Sequence, residues 1–233
     1  MNSAKLGFSL MMVVLIAVPQ VASAQEESSS PISWELAATS DYVFRGVSQS
    51  DEKPAYQAGL TFSSASGLYA GAWGSRVDFD STDPKHELDL FVGYAFDVVD
   101  SVNFDVMLNQ YRYPGANDLN YLELYTTTTF YDTYKVGINY TNDVWNTGED
   151  GWYYSLGAEW ALPRDFTFGL NVGHSTFSHK IVADDYTDWG VTVGKSWGAL
   201  GLSLGYYGTD SHGKVNSGKW ADDRVVLTLS YSQ

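Results

Sequence analysis

The stretch Trp34–Ser50, WELAATSDYVFRGVSQS, decides the fold. Trp34, Leu36, Ala38, Tyr42 and Phe44 fall on one side of an extended chain, and Glu35, Thr39, Asp41 and Arg45 on the other. Side chains alternate along a strand, so this pattern reads as one apolar and one polar face. In a soluble sheet the apolar face would meet a protein core. In an outer-membrane barrel it meets lipid, and the charged face lines the lumen. The second arrangement carries a demand. Lipid offers nothing to an open strand edge, so the first strand must pair with the last, Asp223–Tyr231.

Composition narrows the choice. Hydrophobic residues make up 44% and mean hydropathy is −0.20, which does not suit a helical membrane protein. The chain holds 17 Tyr, 8 Trp and 22 Gly, an enrichment that fits a β-barrel. A net charge of −15 argues against nucleic acid as a partner. Cysteine is absent, so neither a disulfide nor thiol chemistry enters.

Met1–Ala24 has the parts of a cleaved secretory signal: Lys5, the apolar run Leu6–Val18, and the site Ala22-Ser23-Ala24. Residues 25–32 are a short polar arm, and 33–233 form one barrel domain. We expect about twelve antiparallel, up-and-down strands of near ten residues each. They are Trp34–Val47, Ala55–Ser63, Leu68–Phe79, Glu87–Phe96, Val102–Tyr111, Tyr121–Phe130, Tyr134–Thr141, Trp152–Leu162, Phe166–His174, Tyr186–Trp197, Leu200–Tyr206 and Asp223–Tyr231.

The connections alternate in length. SASG, DVVDS, YDT, LPRD and WGAL are tight, whereas DEKP, DSTDPK, PGANDL, NDVWNTGEDG, STFSHKIVADD and TDSHGKVNSGKWADD are longer. Short periplasmic turns and long external loops are the habit of outer-membrane barrels. At the tight-turn ends stand Trp34, Phe62, Tyr69, Phe96, Phe104, Phe130, Tyr134, Trp160, Phe166, Trp197 and Tyr231. We expect them to form an interfacial girdle, with Tyr42, Phe44, Tyr56, Phe79, Tyr140, Trp152 and Tyr206 as an upper one.

Several segments also resemble the TorF-type porins of proteobacteria, the Gcw_chp family. They are TSDYVFRGVSQ at Thr39–Gln49, KPA at Lys53–Ala55, GLYAGAWGSRVDF at Gly67–Phe79, ELDLFVGY at Glu87–Tyr94 and YPG at Tyr113–Gly115. YTDWGVTVGKSW at Tyr186–Trp197, GTD at Gly208–Asp210 and RVVLTLS at Arg224–Ser230 continue it. The resemblance implies an outer-membrane barrel with a pore function and supplies no substrate.

Charges expected to face inward are the candidates for function. The acids are Glu35, Asp41, Asp78, Glu87, Asp89, Asp105, Glu123, Glu159 and Asp188, and the bases Arg45, Arg76, Lys135 and Arg224. Charged rings tune ion selectivity, and an acidic excess favours cations. Opposite charges could instead pair across the lumen and plug it. Twelve strands lie between the eight that leave no room and the sixteen that leave a channel. Asp41 and Arg45 fit either a constriction or an internal ion pair. A hydrolase built on His174 and Ser175, Thr176 or Ser178 lacks a third orienting group, so no catalytic residue is assigned. His86, His174, His179 and His212 show no ligand spacing, so neither a metal nor a cofactor is expected. The expected partners are outer-membrane lipid and lipopolysaccharide, the barrel-assembly machinery, and small solutes or ions. The expected place is the outer membrane of a Gram-negative cell.

Overall fold

The computed structural model describes residues 30–79, 84–178 and 183–233; the signal segment lies outside them. Twelve strands build the barrel: β1 (Ile32–Thr39), β2 (Ala55–Ser63), β3 (Leu68–Arg76), β4 (His86–Val99), β5 (Val102–Arg112) and β6 (Tyr121–Phe130). β7 (Tyr134–Thr141), β8 (Gly151–Leu162), β9 (Phe166–Phe177), β10 (Tyr186–Trp197), β11 (Leu200–Thr209) and β12 (Arg224–Ser232) follow. Each pairs antiparallel with its sequence neighbours, and β1 pairs with β12 to close the ring. At the seam Glu35 stands opposite Ser232 and Thr39 opposite Thr228. The Thr228 hydroxyl bonds that of Thr39 at 2.9 Å, and the Trp34 and Tyr231 rings meet outside at 5.5 Å.

Burial runs opposite to that of a soluble protein. Leu36, Leu204, Leu227 and Leu229 are about half exposed on the outer wall, while Thr228, Ser203, Asn139 and Asp89 are buried inside. Trp34, Phe62, Phe96, Phe104, Phe130, Tyr134, Trp160, Phe166, Trp197 and Tyr231 all project outward near the tight-turn end. Lys195 joins them, its ammonium 5.0 Å from the Phe166 ring and 5.5 Å from that of Trp197.

Two expectations fail here. Tyr69 is not part of the outer row. It and Trp73 point into the lumen, with Ala70 and Ala72 on the outer face of β3. The cause is cross-strand space. Tyr69 lies opposite Gly93, and Trp73 opposite Gly59, so each ring has a glycine beside it on the inner wall. The inverted phase also removes Arg76 from the lumen, and it hydrogen-bonds Pro54 and Asp78 at the rim.

The first strand also stops early, at Thr39. Residues 40–54 leave the wall and carry Tyr42 and Phe44 into the barrel. Tyr42 is 2% exposed and stacks edge-on with Trp73. Phe79 is likewise interior, 5.9 Å from Tyr113. None of the three belongs to an upper girdle.

Two outcomes follow from this wall. Leu204→Arg should lower folding stability in lipid vesicles by about 2–4 kcal/mol, read by urea titration, because a charge at mid-barrel faces hydrocarbon. An unchanged midpoint would mean the outer face is wet. Gly71→Ala puts a Cβ 2.4 Å from the Leu60 carbonyl oxygen and from the Phe91 ring. The same titration should show a loss of about 1–3 kcal/mol.

Candidate functional site

The site is built by the segment between β1 and β2. Val43–Phe44 pairs with Val47–Ser48, leaving Arg45-Gly46 as a two-residue turn. Both carry positive φ, 48° and 78°, as a type I′ hairpin requires. Gly46 is demanded twice over, because a Cβ there would lie 2.5 Å from Thr209 Cγ2. Arginine in the left-handed region costs about 1–2 kcal/mol. Its side-chain contacts offset that cost.

Arg45 reaches across the lumen. Its Nη2 meets Glu123 Oε1 on β6 at 2.7 Å. The Asn139 amide on β7, oriented so that both its atoms are satisfied, accepts from Nη2 at 3.1 Å. The guanidinium carbon lies 4.1 Å from the Tyr153 ring centre on β8 and 4.7 Å from that of Phe44. Its carbonyl accepts from Tyr186 Oη on β10 at 3.2 Å. One residue therefore ties a loop to four separate wall strands.

The wall carboxylates are held mostly by neutral donors. Tyr42 donates to Glu87 at 3.2 Å, Tyr69 to Asp105 at 2.9 Å, Tyr111 to Glu123 at 3.2 Å and Tyr153 to Asp188 at 3.2 Å. Asn109 donates to Asp89 at 3.1 Å. Phenol and amide donors bring these carboxyl groups no compensating positive charge. Among the described residues, the inward acids on the strands, Glu35, Glu87, Asp89, Asp105, Glu123, Glu159 and Asp188, face three bases, Lys135, Arg224 and the loop's Arg45. Carboxyl groups thus outnumber basic groups on the inner wall.

Asp41 and Asp78, expected on the strand faces, sit in the loops. Asp41 Oδ2 pairs with Arg224 at 2.7 Å, while Ser48 and Ser50 donate to Oδ1 at 2.6 and 2.9 Å. This pair fixes the hairpin root to β12. Asp78 gathers Lys53 and Arg76 at 3.2 Å and Lys85 at 3.4 Å. Asp51 accepts from Lys219 at 2.6 Å and from Trp220 at 2.9 Å. The Lys219–Trp220 turn follows helix α1 (Ser211–Ser217), so the last long loop clasps the first.

Two cavities stand out among the described residues. The outer one, of about 310 Å³, opens among the long loops and reaches down to Arg45 and Glu123, with Phe44, Tyr121, Trp152 and Trp220 in its walls. The inner one, of about 130 Å³, lies lower, against Lys135, Glu159, Gly157, Gly169 and Thr192. Tyr153 borders the inner cavity and Arg45 the outer, so their stacked pair divides the two.

The structure brings Arg45 and Glu123 into direct contact, with Asp188 joined through Tyr153. Lys135 and Glu159 share the inner cavity, whereas Asp105 and Glu35 stand apart from the pair. Sequence reasoning missed Tyr153, Asn139 and Tyr186. The signal was present for each, since all three occupy inward positions of cleanly alternating strands. Of the hydroxyl groups the sequence offered to His174, Ser175 projects to the opposite face of β9, while Thr176 shares its face; His179 lies outside the described residues.

A closed antiparallel barrel with an apolar exterior and a polar lumen is the architecture of transmembrane β-barrels. The chain belongs to the Gcw_chp family, bacterial proteins of unknown function, whose model matches residues 23–232. No curated protein matches. Among solved structures it is similar to the KdgM porin, at 8% identity and a TM-score of 0.57, covering 85% of this chain and 98% of that one. The NanC porin gives 11% and 0.57, covering 86% and 98%. The COG4313 outer membrane channel from Pseudomonas putida F1 gives 9% and 0.52, covering 89% and 97%. At these identities the likeness is one of fold.

The rim clasp has a pH signature. The hydrogen bond from Lys53 holds the Asp78 carboxyl below its usual range, and Lys219, then Lys53 and Trp220, do the same for Asp51. A depressed carboxylate stabilises the fold at every pH above about 4, and that contribution is lost only as pH falls through the lowered value. Distances between spin labels on the first and last long loops should therefore hold at pH 4 and lengthen only in stronger acid. Asp51→Asn should lengthen them at pH 7.

Proposed function

We propose that this chain is an outer-membrane channel for small hydrophilic solutes and cations, moving by passive diffusion past a constriction at Arg45 and Tyr153. The observation that carries the reading is the pair of cavities, of about 310 and 130 Å³, on either side of that stack, inside a closed barrel with an apolar exterior. The signal at Met1–Ala24 would deliver the chain to the Gram-negative envelope, and the assembly machinery would insert the barrel. The outward aromatic row would then seat in the headgroups, with the long loops among lipopolysaccharide. The resemblance to TorF-type porins agrees with this.

Lumen charge supports cations over anions. A KdgM porin has been solved in complex with oligogalacturonate, an anionic sugar chain. Here inward carboxylates outnumber inward bases, and a polyanion would meet repulsion along most of the wall. The competing reading, a closed barrel with a structural or adhesive role, draws on the same Arg45, which fills the narrowest point.

Single-channel recording of the refolded mature chain in a planar bilayer with a salt gradient separates them. The channel reading expects discrete steps and a cation-selective reversal potential. Arg45→Ala should raise conductance by about twofold or more by widening the constriction, and Glu123→Gln in that background should weaken cation preference. A folded, heat-modifiable barrel that stays silent in the wild type and in Arg45→Ala would overturn it.

A further inference from the structure

Arg45 is a cation held in a site that does not belong to it. The permanent parts of that site are on the wall: the Glu123 carboxylate, the Asn139 amide and the face of Tyr153. Glu123 is buried to 1% exposure and Asn139 to 0%, and Tyr111 holds the second carboxylate oxygen. A planar group with several N–H donors fits such a site. A carboxylate and an amide oxygen lie in reach of its edge, and an aromatic ring covers its face. The occupant arrives from a loop, on a residue whose backbone sits at a φ of 48°. That conformation is costly for an arginine, and the contacts of its side chain hold it there. An asparagine would be the cheaper residue there.

We propose that this pocket is a binding site for organic cations of the guanidinium class, occupied by the chain's own Arg45 until a free guanidinium takes its place. The ligand would enter through the outer cavity, whose floor is Arg45 and whose walls are largely aromatic. On binding it would inherit Glu123, Asn139 and Tyr153, and the Arg45 side chain would withdraw with its hairpin. The lumen would then open for the cation that fits it. This deepens the channel reading by naming a substrate class, and it rests on that reading for the route of entry.

The test uses the refolded barrel in detergent and titrates ethylguanidinium by calorimetry, with ethylurea as its uncharged isostere. Arg45→Ala empties the pocket. It should bind ethylguanidinium at least about tenfold more tightly than the wild type, and ethylurea should not bind. Arg45→Ala with Glu123→Gln should lose the binding. Arg45→Gln serves in place of Arg45→Ala if the latter does not fold. Equal affinity for wild type and Arg45→Ala, binding that survives Glu123→Gln, or binding of ethylurea as tight as of the cation would each overturn the proposal. Calorimetry needs no pore, so a silent barrel that still binds ethylguanidinium refutes the channel reading and leaves the site standing.

Discussion

Everything in this molecule depends on the seam between the first strand and the last. A strand edge in hydrocarbon leaves N–H and C=O groups with no water to bond, at a cost of several kcal/mol each. Closing β1 on β12 removes both edges at once. Closure then fixes which residues face inward. Side chains alternate strictly along paired strands, so a single register at Thr39 and Thr228 propagates around all twelve. The polar face could not have been turned outward on one strand alone.

Closure at twelve strands creates a second problem, which is an interior wider than side chains alone fill. The chain solves it unequally. Along β3–β6 the inner wall carries Tyr69, Trp73, Phe91, Met107, Tyr111 and Tyr125, packed as one cluster. Along β8–β11 it carries Gly157, Gly169, Gly173, Gly190, Gly194 and Gly205 among Ser and Thr. The hairpin of residues 43–48 lies between them. Tyr42 and Phe44 pack against the aromatic side, while Val43 rests on Tyr207 and Val226. The remaining space sits where the wall is smallest, around Gly157 and Gly169.

The barrel was legible because its evidence is periodic. The alternation in β8, from Trp152 to Trp160, and the alternating loop lengths survive without any knowledge of contacts. What failed was a choice between two equally apolar faces. In β3, Leu68, Ala70 and Ala72 alternate with Tyr69, Gly71 and Trp73, so hydrophobicity does not set the phase. Cross-strand partners set it, and Gly59 and Gly93 are partners only once the register is known. The first strand failed for a different reason. Alternation continues through Tyr42, Phe44 and Arg45, yet these residues pack against the inside of the wall they were expected to join. The Arg45-Gly46 turn was the local sign, since a glycine with positive φ after a strand-like run is what a hairpin needs.

The inner wall explains why a loop supplies the central cation. Tyrosine and asparagine donate to Glu87, Asp89, Asp105 and Asp188, but they bring no compensating positive charge. Had the strands carried arginines opposite these acids, the barrel would be neutral and permanently bridged. Among the described residues, the inward strand acids have one ion pair within 4 Å apart from rim contacts, and its base is Arg45. Neutralisation at Glu123 therefore depends on where the hairpin lies. One backbone segment sets the width of the constriction and its charge together, because the group that narrows the lumen is also the group that cancels its field. In the channel we propose, a displacement that widens the passage would uncover a carboxyl group, so the wider state would also be the more cation-attracting one.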